Sequence, residues 1–130
     1  MRIFFLFHFP AITFGLIIFL LSSVPGMNMP EYGFLRADKL LHFLEYALFA
    51  VLIFRSFSQL FRKQKFHYVI VVSSFFLILF ALLDEYYQKY IPGRESDVAD
   101  VILDVLGASL ILFLLWIRKH RKNQKISKTA

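Results

Sequence analysis

The stretch FHYVIVVSSFFLILFALLDEYYQKY, residues 66–90, decides the fold. From Val69 to Leu83 it is apolar except for two serines, and it then turns polar through Asp84, Glu85, Tyr86, Tyr87, Gln88 and Tyr90. About 20 apolar residues in a helix cross the hydrocarbon core of a bilayer, and tyrosines gather where that core meets the headgroups. The stretch is therefore expected to be a spanning helix from Phe66 to Tyr90 with a polar end. Three further blocks share its character. Helix one is expected over Ile3 to Val24, helix two over Asp38 to Phe57, and helix four over Asp97 to Ile117 with Trp116 at the interface. Ser22, Ser23, Pro25 and Gly26 open an outer loop that ends at Ala37, Ser58 to Lys65 form a basic loop, and Ile91 to Ser96 form a tight turn around Pro92 and Gly93. The expected fold class is all-α, a bundle of four transmembrane helices. It forms one domain over residues 1–117, followed by a polar, unstructured basic tail at 118–130. The first block has some signal-peptide character, but its apolar run is too long and no small-x-small motif lies near Pro25, so it is expected to remain a span.

Composition supports this class. Of 130 residues, 58% are hydrophobic and 17 are Phe, more apolar surface than a soluble domain of that length can bury. The chain has no cysteine, which excludes disulfides, thiolate metal sites, cysteine nucleophiles and lipoprotein anchoring. The formal net charge is +6, and its distribution is more telling. Arg2, Arg55, Arg62, Lys63, Lys65, Arg118, Lys119, Arg121, Lys122, Lys125 and Lys128 fall at the N-terminus, around the middle loop and in the tail. Arg36, Lys39, Lys89 and Arg94 fall on the other side, with all nine acids. The positive-inside rule then predicts an N-in/C-in topology, with both termini and the middle loop in the cytoplasm. The basic tail is expected to meet anionic membrane lipids; no nucleic-acid partner is expected for so short a membrane-tethered run.

The polar residues that interrupt these spans form a pattern. Asp38, His42 and Glu45 lie four and three residues apart, on one helical face. Asp97, Asp100 and Asp104 repeat the spacing on helix four as three and four, and Asp84 and Gln88 lie one turn apart on helix three. Glu45 and Asp104 each sit roughly 10 Å deeper than the start of their helix. An ionised side chain at that depth costs several kcal/mol unless paired or hydrated. These faces are thus expected to turn toward one another around a polar funnel open to the outside, with Gly107 permitting close helix approach. Asp97 is expected to be an N-cap and Glu85 and Glu95 to be solvated.

Three chemistries fit, and spacing does not choose among them. His42, Glu45 and Asp104 could hold a divalent cation. Close carboxylates and a histidine could act as general acid and base, which makes His42, Glu45, Asp84 and Asp104 the candidate catalytic residues. Lys39 and Arg94 could hold a phosphate or carboxylate, with Asp38, Gln88 and Asp100 as further candidate binding residues. No nucleotide loop, HExxH motif or Ser/His/Asp signature is present.

Ser22-Ser23-x-Pro25, Asp38-Lys39-x-x-His42-Phe43-x-Glu45-Tyr46, Asp84-Glu85-x-x-Gln88 with Pro92-Gly93-Arg94, and Asp97-x-x-Asp100-x-x-x-Asp104-x-x-Gly107 together resemble the VanZ-like family of bacterial membrane proteins over about Gly15 to Trp116. The segment Ala47-Leu48-Phe49-Ala50 departs from it, since the family often has Leu-Gly there. The resemblance implies a bacterial cell-envelope role and a name linked to teicoplanin resistance. The depth and orientation of the funnel lead to the expectation that it binds or modifies a lipid-linked or cell-wall component, or else that its polar face holds another membrane protein. A non-catalytic adaptor is the alternative. A four-helix transporter is disfavoured because the inner half of the bundle is apolar apart from His8.

Overall fold

The computed structural model describes residues 1–25, 37–94 and 96–129. Residues 26–36, Glu95 and the side chain of Asp38 lie outside the described part, so the expectations placed on Asp38 and Glu95 fall there too. Four helices account for the regular structure among the described residues: α1 (Phe9–Ser22), α2 (Ala37–Leu60), α3 (Phe66–Gln88) and α4 (Val98–Thr129). Each is long and apolar enough to cross a membrane, over Phe4–Ser22, Lys39–Leu60, Phe66–Gln88 and Val98–Gln124. Leu40, Leu44, Val71, Phe75, Leu82 and Phe113 are among many large apolar side chains left exposed on the flanks. In a bilayer such a surface faces lipid.

Two boundaries differ from the sequence expectation. A π-helical turn at Phe4–His8 leads into α1, with the Phe9 N–H bonded to the Phe4 carbonyl. Pro10 lies in the first turn of α1. It has no N–H for the Leu6 carbonyl and its ring crowds that oxygen, so the helix widens by one residue just upstream. At the other end α4 does not stop at Ile117 but continues to Thr129, where an unstructured tail was expected. Lys, Arg and Gln are good helix formers, and positive charge suits a helix C-terminus.

Contacts pair the helices in parallel. Lys39 meets Asp97 and Asp100, and His42 meets Asp104, so α2 and α4 run in the same direction. The Gly15 position lies against the Phe80 ring, and seven and eight residues further on Ser22 meets Asp84 and Ser23 Oγ lies 3.4 Å from the Tyr87 hydroxyl, so α1 and α3 do likewise. The α2–α4 interface is the most extensive, α3 packs on both, and α1 leans only on α2 and α3. Gly107 sets the closeness of α2 and α4: a Cβ there would collide with the carbonyl oxygen of Phe43 and lie 3.0 Å from its carbon and 3.3 Å from the Ala47 nitrogen. The core holds Tyr46, Phe49, Ile18 and Leu77. Phe49 meets the edges of Phe80 and Phe76 at 5.0 and 6.3 Å, an aromatic plug below the polar half.

Candidate functional site

The polar residues gather at one end of the bundle, but in two clusters rather than one funnel. The first joins α2 to α4. Lys39 Nζ lies 2.7 Å from Asp97 Oδ2 and 3.1 Å from Asp100 Oδ1. One turn deeper, His42 Nδ1 lies 3.1 Å from Asp104 Oδ1, with Asp104 only 2% exposed. The spacing produces this: residues three apart on α2 face residues four apart on α4, and each cationic or titratable group finds a carboxylate. Lys39 and Asp100, candidates for binding substrate, are therefore occupied with each other. A cation this close to lipid is tolerable only when paired, so Lys39 does not join Arg94 in a common anion site. Asp97 is the expected N-cap, its Oδ1 accepting the Ala99 N–H at 2.9 Å. Glu85, expected to be solvated, is buried and accepts the Asp97 N–H at 2.6 Å. One turn of α3 beyond Ala81, its side chain faces the start of α4, where an unpaired amide needs an acceptor.

The second cluster joins α1, α3 and the turn that follows α3. Ser22 Oγ donates to Asp84 Oδ2 at 2.8 Å, and Gln88 Nε2 lies 3.3 Å from both Ser22 Oγ and Asp84 Oδ2. Gly93, with φ 77°, lets the chain reverse after Pro92, and the Arg94 N–H closes the turn on the Ile91 carbonyl at 3.2 Å. This aims the Arg94 guanidinium back over the bundle. It donates to the Leu21 carbonyl at 2.7 Å, the Val24 carbonyl at 3.4 Å and Gln88 Oε1 at 3.4 Å. A guanidinium suits this place, because the last carbonyls of α1 mark the negative end of its dipole and a carbonyl that already takes the Val24 N–H, as that of Leu21 does, has a second lone pair to offer. Asp84 is 4% exposed, and its Oδ1 has no hydrogen-bond partner among the described residues; the same holds for the buried Tyr46 hydroxyl.

Between the clusters lies a cavity of about 360 Å³. Its polar side is made by Ser22, His42, Glu45 and Arg94, and its walls include Ile17 and Leu21 of α1 with Leu41, Leu44 and Leu48 of α2. Those five apolar residues are exposed on the flank of the bundle, so the cavity opens sideways between α1 and α2. Glu45 stands within electrostatic reach of His42, Asp84 and Arg94. The arrangement resembles a histidine steadied from behind by Asp104, with a carboxylate and a guanidinium beside it facing the same space. Among the described residues no group of three His, Asp or Glu side chains is placed to hold a metal ion.

Of the sequence candidates, His42, Glu45 and Arg94 line the cavity, Asp104, Asp84 and Gln88 stand behind it, and Lys39 and Asp100 form a separate pair. Sequence reasoning missed Ser22 as a site residue. Its Ser-Ser-x-Pro setting signalled a helix end, and nothing local indicates that its hydroxyl faces Asp84.

Comparison with curated proteins and with solved structures gives no match. The family model described as VanZ/LLP1 matches residues 3–119, which takes in α1, α2 and α3 whole, α4 as far as Lys119 and every residue of both polar clusters. The chain belongs to the VanZ/LLP1 family.

Proposed function

We propose that this protein works in the bacterial cytoplasmic membrane, with both termini in the cytoplasm. There it binds or modifies a lipid-linked component of the cell envelope that enters from the outer leaflet between α1 and α2. One observation carries this reading: a sideways-opening cavity whose lips are Leu41, Leu44 and Leu48 and whose inner side is His42, Glu45, Ser22 and Arg94. An amphiphile has the matching polarity. Its chain would follow the leucines while its head meets the polar groups. His42, oriented by Asp104, and Glu45 would exchange protons with the head, and Arg94 would orient it. The partition of acids and bases along the chain supports the orientation.

The test uses the full chain in detergent with a fluorescent polyprenyl-phosphate probe. Saturable binding is expected, weakened at least tenfold by Glu45→Ala and by His42→Ala; equal binding in all three proteins would remove the reading. Reporters fused to the two ends should both score as cytoplasmic. Where the natural host is sensitive to glycopeptides, teicoplanin susceptibility should shift with the same variants if the link that the family name suggests extends to this chain.

The adaptor reading draws on a different observation: Lys39, Asp97, Asp100 and Glu85 are answered within the bundle. It predicts no probe binding, and co-purification of a membrane-protein partner that survives His42→Ala.

A further inference from the structure

A second groove lies toward the opposite end of the bundle, on the flank where α1 leans on α2 and α3. It encloses about 620 Å³ and is lined by His8, Ile12 and Leu16 of the N-terminal helix, by Ser56 of α2, and by Phe76 and Phe80 of α3. From Phe4 to Phe19 the groove follows about 22 Å of helix, the dimension of one extended acyl chain rather than of a compact metabolite. Small residues at Ala11 and Gly15 deepen its floor. Its wall is apolar except at one place. His8 Nδ1 lies 2.8 Å from Ser56 Oγ, and Ser56 is buried. When the serine donates to Nδ1, the proton of the neutral ring sits on Nε2. Among the described residues no partner takes that second nitrogen. A donor in an otherwise apolar groove suits an ester carbonyl.

The charge around this end selects the headgroup. Arg2, Arg55, Arg62, Lys63 and Lys65 lie here, and the acids whose side chains the structure describes, Glu45, Asp84, Glu85, Asp97, Asp100 and Asp104, lie toward the other end. Arg55, the chain neighbour of Ser56, is held over the ring of Phe7, the chain neighbour of His8, 5.6 Å from its centre.

We propose that this groove is a binding site for one anionic glycerophospholipid. One acyl chain lies along α1 between Ile12, Leu16 and the α3 phenylalanines, its ester carbonyl accepts from His8 Nε2, and its phosphate faces the basic end. The site is separate from the outer cavity and does not depend on its function.

Native mass spectrometry of the full chain, delipidated and titrated with phosphatidylglycerol or phosphatidylcholine, tests this. Expected is a single strong phosphatidylglycerol adduct, at least tenfold tighter than phosphatidylcholine. His8→Phe, which keeps a ring but loses the donor, should weaken it about tenfold. Ile12→Trp and Leu16→Trp should abolish it by filling the groove from exposed positions that support no core contact; two such variants guard against one that fails to fold. Three results overturn the site: no retained lipid in the unmodified chain, equal retention of the two headgroups, or an undiminished phosphatidylglycerol adduct in a folded groove-filling variant.

Discussion

Replacing Gly107 by alanine should damage the α2–α4 pair far more than a single methyl group suggests. The added Cβ would meet the Phe43 carbonyl oxygen, with the Phe43 carbonyl carbon at 3.0 Å and the Ala47 nitrogen at 3.3 Å. All three are backbone atoms, so no rotamer change relieves the clash and the helices must part by on the order of 1 Å. Overpacking of this kind costs about 1–3 kcal/mol, and a backbone obstacle belongs at the upper end. The parting also lengthens the 3.1 Å contact between His42 and Asp104 three residues away. Losing a buried hydrogen bond to a carboxylate adds about 1–3 kcal/mol. The expected total is roughly 3–5 kcal/mol, larger again for Gly107→Val. Equilibrium unfolding in mixed detergent micelles, followed by Trp116 fluorescence or circular dichroism, measures it. In a His42→Ala background the hydrogen bond is already gone, so Gly107→Ala should cost about 1–2 kcal/mol less there. A Gly107→Ala protein within about 1 kcal/mol of the parent, or perfect additivity with His42→Ala, would refute the reasoning.

Arg94→Lys should loosen the end of α1 nearly as much as Arg94→Ala, because one ammonium cannot reach Leu21, Val24 and Gln88 together. Faster hydrogen exchange over residues 19–24 is the readout, and full protection in the lysine variant would contradict it. Asp97→Ala should destabilise by about 1–2 kcal/mol through the lost cap, and Asp97→Asn by less, since an amide oxygen still caps; equal losses would assign the effect to the Lys39 pair instead. Lys39→Met takes a cation from Asp97 and Asp100; the group is partly exposed, so the cost should be about 1–2 kcal/mol, between the surface and the fully buried cases. Adding Asp100→Leu should restore part of that, and the absence of any recovery would mean the pair is not coupled.

The helices were legible because bilayer thickness imposes a length and a polarity that single residues cannot hide. Their inward faces are legible too: the 42/45 and 97/100/104 spacings tell which side of each helix must leave the lipid. Gly107 and the Asp97 cap followed from local rules that hold in the structure. What periodicity does not encode is which neighbour a face meets. Lys39 and Arg94 carry like charges at like depths, yet parallel pairing sends one to α4 and the other to the carbonyls of α1. Ser22 and Glu85 were misjudged for the same reason, as each is defined by a partner on another element, 62 residues away for Ser22. The continuation of α4 past Ile117 was missed because hydropathy marks where a helix leaves lipid, not where it ends.

The parallel pairing of α2 with α4 also bears on how the chain is made. The partners of Lys39 and His42 are synthesised 58 to 62 residues later. Until α4 leaves the ribosome, α2 carries Lys39, His42 and Glu45 with no counter-charges from its eventual mate, and such a segment is a reluctant guest in hydrocarbon. Stable integration of the second span should therefore wait for the fourth, and in a nascent chain halted before Asp97 a cysteine introduced in α2 should react with a water-soluble thiol reagent while one in α1 stays protected.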